Sequence, residues 1–404
     1  YEPESISLPK AIEQALDCSL QLKEADARLQ MKLAECWQAG VFPNPSINFS
    51  FNQVKLPNDS SCWDEMQSSL EISQLIEFGN KRTARQNLVA AEASIILWET
   101  ELIRQNLIKS VTETYLDAFT AQKRLEILNQ LHHNATNIVD CMTEKVSNGK
   151  ASPIAQRKSI LSQHAVGVEL KKSVASLSAA RRELASLCGG SSNCLQSISE
   201  PTETINPPIS IENNLCLISK NAEIAQLEAT QLVAQYNYIL QKANSIPNAL
   251  VSAGVVRYNG TGVGRHNHDA EYRLIVELEF ELPVFNRNQG NISRAVWEEY
   301  SILYKIQDLE RQLTVRCEDL YTNWIRTYET IELIQKELIP AAEEMLQIHC
   351  DREASGKEDC LVRMEANKDL FDLQLQYLDA VNEFYHVKAN MRFLCGTGFE
   401  MIEN

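Results

Sequence analysis

Phe78-Gly79-Asn80-Lys81-Arg82 returns as Phe285-Asn286-Arg287-Asn288-Gln289, 207 residues later. Gly149-Lys150 returns as Gly356-Lys357 and Leu187-Cys188-Gly189 as Leu394-Cys395-Gly396, both at the same separation of 207. Upstream, Pro43-Asn44 matches Pro247-Asn248 with a separation of 204. A register held over more than 100 residues, with one change of three near the loop at 55–66, is the mark of an internal duplication. The first copy is 1–188 and the second 211–404, and the Gly-, Ser- and Pro-rich segment 189–210 reads as a linker between them.

Each copy carries the same succession of patterns. Residues 8–40 have helical spacing, with Leu8, Ile12, Ala15, Leu22, Leu29 and Leu33 apolar, Ser7 placed to cap and Pro9 in the first turn. Phe42-Pro43-Asn44-Pro45 stops that helix, because proline lacks a donor and disfavours the helical conformation before it. The next segment alternates. Ile47, Phe49 and Phe51 take one side, and Ser46, Asn48, Ser50 and Asn52 the other; Leu70 and Ile72 then alternate with Ser69, Glu71 and Ser73. In the second copy Leu274, Val276, Leu278, Phe280 and Leu282 alternate with Arg273, Ile275, Glu277, Glu279 and Glu281, and 248–258 is a fainter strand. The β portion is therefore 45–76 and 248–282. Strands of roughly ten residues with period two suit a membrane β-barrel, and equally a half-exposed sheet in a water-soluble protein.

Lys81 to Asn148 then runs without Gly or Pro, with apolar residues at spacings of three and four. At ~1.5 Å per residue such a helix is roughly 100 Å long. The chain reverses at Asn148-Gly149-Lys150 and returns over 153–187, with Pro153 at the start and Gly189-Gly190 past the end. The helices 8–40 and 153–187 together match the long one to within a turn. Stacked end to end they could line its whole length, which suits a tall wall. Helical segments are expected at 8–40, 81–187, 211–245 and 288–395, with Pro340 kinking the last. Four strands cannot close a barrel, and lipid does not tolerate open sheet edges. A membrane role thus requires several copies.

Composition narrows the functions. The 404 residues hold 38 basic and 54 acidic side chains, a formal charge of −16, which argues against nucleic acid or anionic lipid headgroups as partners. No run of roughly 18 apolar residues exists, so no helix is expected to cross a membrane. No basic and apolar leader precedes Tyr1, as expected of a processed chain or of one never exported, and no cysteine stands at the start for acylation. No HExxH, GxSxG or phosphate-binding glycine loop is present: the Gly260, Gly262 and Gly264 run lies between strands. Neither catalytic residues nor a cofactor are expected. Eleven cysteines include no CxxC pair; most read as small buried hydrophobes, while Cys188 and Cys194 bracket a loop short enough for a disulfide. Cys350, Cys360 and His349 flank the second turn, but a conduit gains nothing by gripping its cargo, so no metal ligand set is assigned. His266-Asn267-His268-Asp269 reads as a solvated loop.

Nearly the full chain resembles the TolC-type outer-membrane factor family. The resemblance rests on Phe42-Pro43-Asn44-Pro45, Ser73-Gln74, the run from Glu77 to Arg82, the run PVFNRNQGNI at 283–292, and the turns at 146–153 and 354–357. The runs EFGNKR and PVFNRNQGNI are most similar to the branch that serves cobalt–zinc–cadmium resistance-nodulation-division pumps. The fold so implied is mainly α with a small β portion: a long α-helical barrel joined to a transmembrane β-barrel, four strands per chain and twelve in a homotrimer. It implies a Gram-negative outer-membrane location reaching into the periplasm, with outer-membrane lipid around the strands. It also implies a periplasmic adaptor, an inner-membrane pump of that class, and no enzymatic activity. The turns Asn148, Gly149, Lys150 and Ser355, Gly356, Lys357 would meet the adaptor. Asp351, Arg352, Glu353, Glu358 and Asp359 would ring the periplasmic entrance, and Glu71, Glu277, Glu279 and Glu281 would line the barrel. Ala155 and Val362 stand near places where the family often has Asp and a hydrophobic pair. The same duct could carry drugs or secreted polypeptide, and a soluble coiled-coil scaffold would share the helical pattern.

Overall fold

The computed structural model describes residues 5–52, 67–190, 197–201, 204–208, 210–258, 271–355 and 360–396. The first copy contains β1 (Ser5–Ile6), α1 (Leu8–Cys18), α2 (Leu20–Ala39), β2 (Ser46–Asn52), β3 (Gln67–Ile76), α3 (Lys81–Ser147) and α4 (Pro153–Leu187). After β4 (Ser197–Ile198), the second contains α5 (Ile211–Ile218), α6 (Ala222–Asn244), β5 (Ala249–Tyr258), β6 (Glu271–Phe280), α7 (Gln289–Leu333), α8 (Ile339–Ala354) and α9 (Cys360–Leu394). Each copy runs through short helices, a strand pair, a long helical run and a returning helix. The chain divides into two compact units, one of residues 1–25, 99–224 and 308–404, the other of 26–98 and 225–307.

The second of these holds one antiparallel sheet in the order β2-β3-β5-β6. Its hairpins β2–β3 and β5–β6 belong to different copies, and β3 pairs with β5 from Gln67↔Tyr258 to Ile76↔Ala249. Each hairpin turns sharply into its helix. Gly79 and Asn80 both take positive φ (74° and 57°), and a Cβ on Gly79 would lie 2.7 Å from Ile246 Cδ1, so only glycine fits. Below that turn Arg85 grips Glu77 through both guanidinium nitrogens (2.5 and 2.9 Å), and Lys81 Nζ donates to Asn248 Oδ1 at 2.5 Å. Asn288, which like Asn80 stands directly before its long helix, also takes positive φ, and it donates to the Gln241 carbonyl at 2.7 Å.

The other unit is built around two related cores. In the first, Ala11 and Ala15 of α1, Val111, Tyr115 and Ala118 of α3, and Leu184 and Ala185 of α4 pack together. The ends of α1 and α4 thus meet against α3, as stacking of the short helices requires. In the second core Cys317, Trp324 and Ile331 of α7 pack on Phe384, Met391 and Leu394 of α9.

Five features depart from the sequence expectations. The segment 8–40 is two helices, because Ser19 turns extended (ψ 115°) and its Oγ accepts from Leu22 N at 3.3 Å, starting α2 anew. The segment 211–245 breaks likewise: Asn221 Oδ1 accepts from Glu223 N at 2.7 Å, and its Nδ2 donates to the Leu394 carbonyl at 2.9 Å. Both breaks make room for the duplicated Gly turns, since Gly189 abuts Cys18 and Gly396 abuts Lys220. Ser7 occupies the first cap position but makes no side-chain cap bond. Within the linker 189–210, β4 pairs in parallel with β1, and the buried Tyr115 hydroxyl ties both by donating to the carbonyls of Ile6 (3.0 Å) and Ser199 (2.8 Å). Around Pro340 the helix rewinds into a π turn, Ile334–Leu338, closed by Ile339 N to Ile334 O. The wider turn stands just before the proline, which has no N–H to give the Lys336 carbonyl.

Candidate functional site

Two regions carry the residues that the sequence singled out. In the sheet, directly paired residues project from the same face. The pairs Asn48↔Glu71, Glu71↔Gly254, Ser252↔Glu277 and Leu250↔Glu279 place Glu71, Glu277 and Glu279 on one face with Ser46, Ser50, Ser69 and Ser73. Glu271 and Arg273 share this face and pair with each other at 3.1 Å. Glu281 lies one residue beyond the end of β6 and outside the ladder. The opposite face is apolar apart from Ser68, Gln74 and Arg257 towards the strand ends. Ile47, Phe49, Phe51, Leu70, Ile72, Val255, Leu274, Val276, Leu278 and Phe280 stand on it and all are exposed. Water does not leave so continuous an apolar face uncovered, whereas hydrocarbon solvates it. At the sheet margins β2 and β6 each have one edge with no partner strand among the described residues.

The second region is the pair of helical turns. At the first, Gly149 takes φ 69° and Lys150 N donates to Lys145 O at 2.8 Å, a six-residue closure that ends α3. Ser152 then restarts the chain, its Oγ accepting from Ile154 N at 3.2 Å with Pro153 in the first turn of α4. Asn148, Gly149 and Lys150 are all exposed. At the second turn Ser355 ends α8, with its N–H and Oγ both donating to the Asp351 carbonyl. Gly356, Lys357, Glu358 and Asp359 lie outside the described residues, as do His266–Asp269, Cys62 and Cys194, the proposed partner of Cys188.

The acidic set at the second turn divides. Asp351 and Arg352 are exposed, but Glu353 turns inward with its side chain only 10% exposed. It meets Lys145 Nζ at 3.2 Å, Arg363 Nε at 3.0 Å and Cys360 Sγ at 2.7 Å. Burial works to raise its pKa, yet the Cys360 hydrogen bond and the Arg363 and Lys145 charges outweigh that and hold it below the usual carboxylate range. The Cys360 thiol is pushed up to about 12 by burial and then by the Glu353 carboxylate. Cys141 completes this group, 3.1 Å from Cys360. Sequence spacing pairs Cys360 with Cys350; the fold pairs it with a cysteine of α3 that no local signal marks.

Comparison with known proteins agrees with this architecture. The profile of the family described as outer membrane efflux protein matches residues 11–190 and 217–397, one stretch in each copy. The cobalt-zinc-cadmium resistance protein CzcC of Cupriavidus metallidurans is 24% identical over 407 aligned residues, covering 97% of this chain and 90% of that protein. Among solved structures, the outer-membrane channel OprN superposes with a TM-score of 0.78 at 15% identity, covering 97% of this chain and 90% of its own. The channel-forming CusC superposes at 0.76 and 16% identity, covering 97% and 92%. The chain belongs to the outer membrane efflux protein family, with the TolC-like fold of helical barrel and β-barrel portion and a place in the Gram-negative outer membrane extending into the periplasm.

Proposed function

We propose that this chain is the exit duct of a tripartite system that passes heavy-metal cations outward, driven by an inner-membrane resistance-nodulation-division pump through a periplasmic adaptor. The observation that carries this reading is the two-sided sheet, apolar on one face and bearing Glu71, Glu277 and Glu279 on the other. Joining β6 of one copy to β2 of the next satisfies both open edges, and a homotrimer closes in this way with twelve strands. The carboxylates then face the lumen, where their field favours cations and repels anions. Likeness to CzcC, named for cobalt, zinc and cadmium resistance, supports the cargo. The duct conducts passively; it binds no cofactor and performs no chemistry.

In this arrangement the exposed turn Asn148, Gly149 and Lys150, with Ser355 at the second, receives the adaptor, and Asp351 and Arg352 border the entrance. Deleting the gene is expected to sensitise the cell to zinc, cadmium, cobalt or copper, read as a lowered inhibitory concentration. Unchanged metal tolerance with raised drug sensitivity would replace the metal cargo by drugs.

A further inference from the structure

Two donor groups that flank the second turn meet a third, more than 200 residues away in sequence, beside that turn. Cys141 lies near the end of α3, Glu353 in the last turn of α8, and Cys360 at the start of α9. Cys360 Sγ is 3.1 Å from Cys141 Sγ and 2.7 Å from Glu353 Oε1, and Cys141 Sγ is 3.8 Å from that same oxygen. One donor atom from each lies within 4.8 Å of the other two. The surroundings are apolar: Ile138, Met142, Ala155 and Met364 pack around the fully buried Cys360. Into this pocket Glu353 is nine-tenths buried. Among the described residues its Oε2 has no hydrogen-bond partner, although Arg363 Nε stands 3.0 Å away in an ion pair. A positive charge already stands among the donors, since Lys145 Nζ lies 2.7 Å from Cys360 Sγ and 3.2 Å from Glu353 Oε1.

A Lys–Glu pair alone would need neither thiol. Two sulfurs and one carboxylate at these separations can all touch one ion with bonds of about 2.3 Å to sulfur and about 2.0–2.2 Å to oxygen. Sulfur donors select soft or borderline cations over magnesium and calcium. We propose that Cys141, Glu353 and Cys360 form a binding site for one thiophilic divalent cation, of the zinc or cadmium class. On binding, each thiol releases its proton to water and both sulfurs become thiolates. The three negative ligands then exceed the ion's charge by one, which Lys145 or Arg363 offsets. Because Cys141 comes from the first copy and the other two ligands flank the second turn, the ion would fasten both limbs of the second hairpin to α3. Binding rests on this cluster alone; its bearing on transport rests on the duct reading.

The test is titration of the purified, detergent-solubilised full chain, reduced under anaerobic conditions, with Cd²⁺. The thiolate-to-cadmium absorption is expected to saturate, and C141S/C360S should take up one equivalent fewer per chain. Glu353→Gln should bind at least about tenfold more weakly, as loss of a metal's oxygen partner commonly does. Equal uptake by wild type and C141S/C360S, both retaining the helical circular dichroism, would overturn the proposal. So would a Cys141–Cys360 disulfide that survives reduction. If the double variant does not fold, Cys141→Ser alone decides, since Cys141 is only half-buried. Cadmium uptake is read on the isolated protein, so a strain with unaltered metal tolerance would sink the metal duct and leave this site standing.

Discussion

Replacing Val276 by lysine is expected to abolish assembly in the outer membrane. Val276 stands midway along β6 on the apolar face, 68% exposed, with Leu274 and Leu278 two residues to either side and Ala253 across the ladder. A lysine at the middle of a lipid-facing strand costs about 2–4 kcal/mol, and a closed trimer meets that cost in every chain. The next residue supplies the control. Glu277 faces the other way, paired with Ser252, so Glu277→Lys should assemble at the wild-type level. The measurement is the amount of detergent-resistant oligomer in outer-membrane fractions. Equal yields of both variants would mean that the apolar face does not meet lipid.

The second large effect is expected at Phe384. Its side chain is fully buried between α7 and α9, edge-on to Trp324 at a centroid distance of 6.3 Å and beside Tyr385 at 5.6 Å. Truncating a buried Phe to Ala removes its transfer energy and leaves a cavity, together about 3–5 kcal/mol. Phe384→Ala should therefore lower the urea midpoint at which the helical circular dichroism is lost. Phe384→Leu refills most of the space and should lose less than half as much. Midpoints that coincide would show that α7 and α9 do not carry the stability of this unit.

The duplication was readable because it is written in residues with local geometric duties. Gly189 and Gly396, 207 positions apart, both take positive φ (67° and 63°) at the ends of returning helices, so their spacing reports the fold directly. The strands were equally legible, since alternation of Ile47, Phe49 and Phe51 with serine and asparagine encodes the two faces. What escaped depends on contacts over long separations or on single side chains. The break at Ser19 leaves helical periodicity intact on both sides. Strands β1 and β4 have two residues each, too short to alternate, and are held by Tyr115, 109 residues from Ile6 and 84 from Ser199. The π turn before Pro340 has the sequence IQKEL, which carries no signal apart from the proline that follows it. Of the proposed site residues, the sheet carboxylates were placed by period alone. The inward turn of Glu353 depends on Lys145 and Cys141, more than 200 residues away, which no local pattern connects to it.

Closed into a pore, the chain is expected to turn its charged sheet face to the lumen. Recording the purified protein in a planar lipid bilayer tests it most directly. A cation-selective conductance is expected, with the selectivity reduced when Glu71, Glu277 and Glu279 are changed together to glutamine. A protein that inserts without conducting, or a pore whose selectivity ignores those three substitutions, would show that these carboxylates do not line a pore.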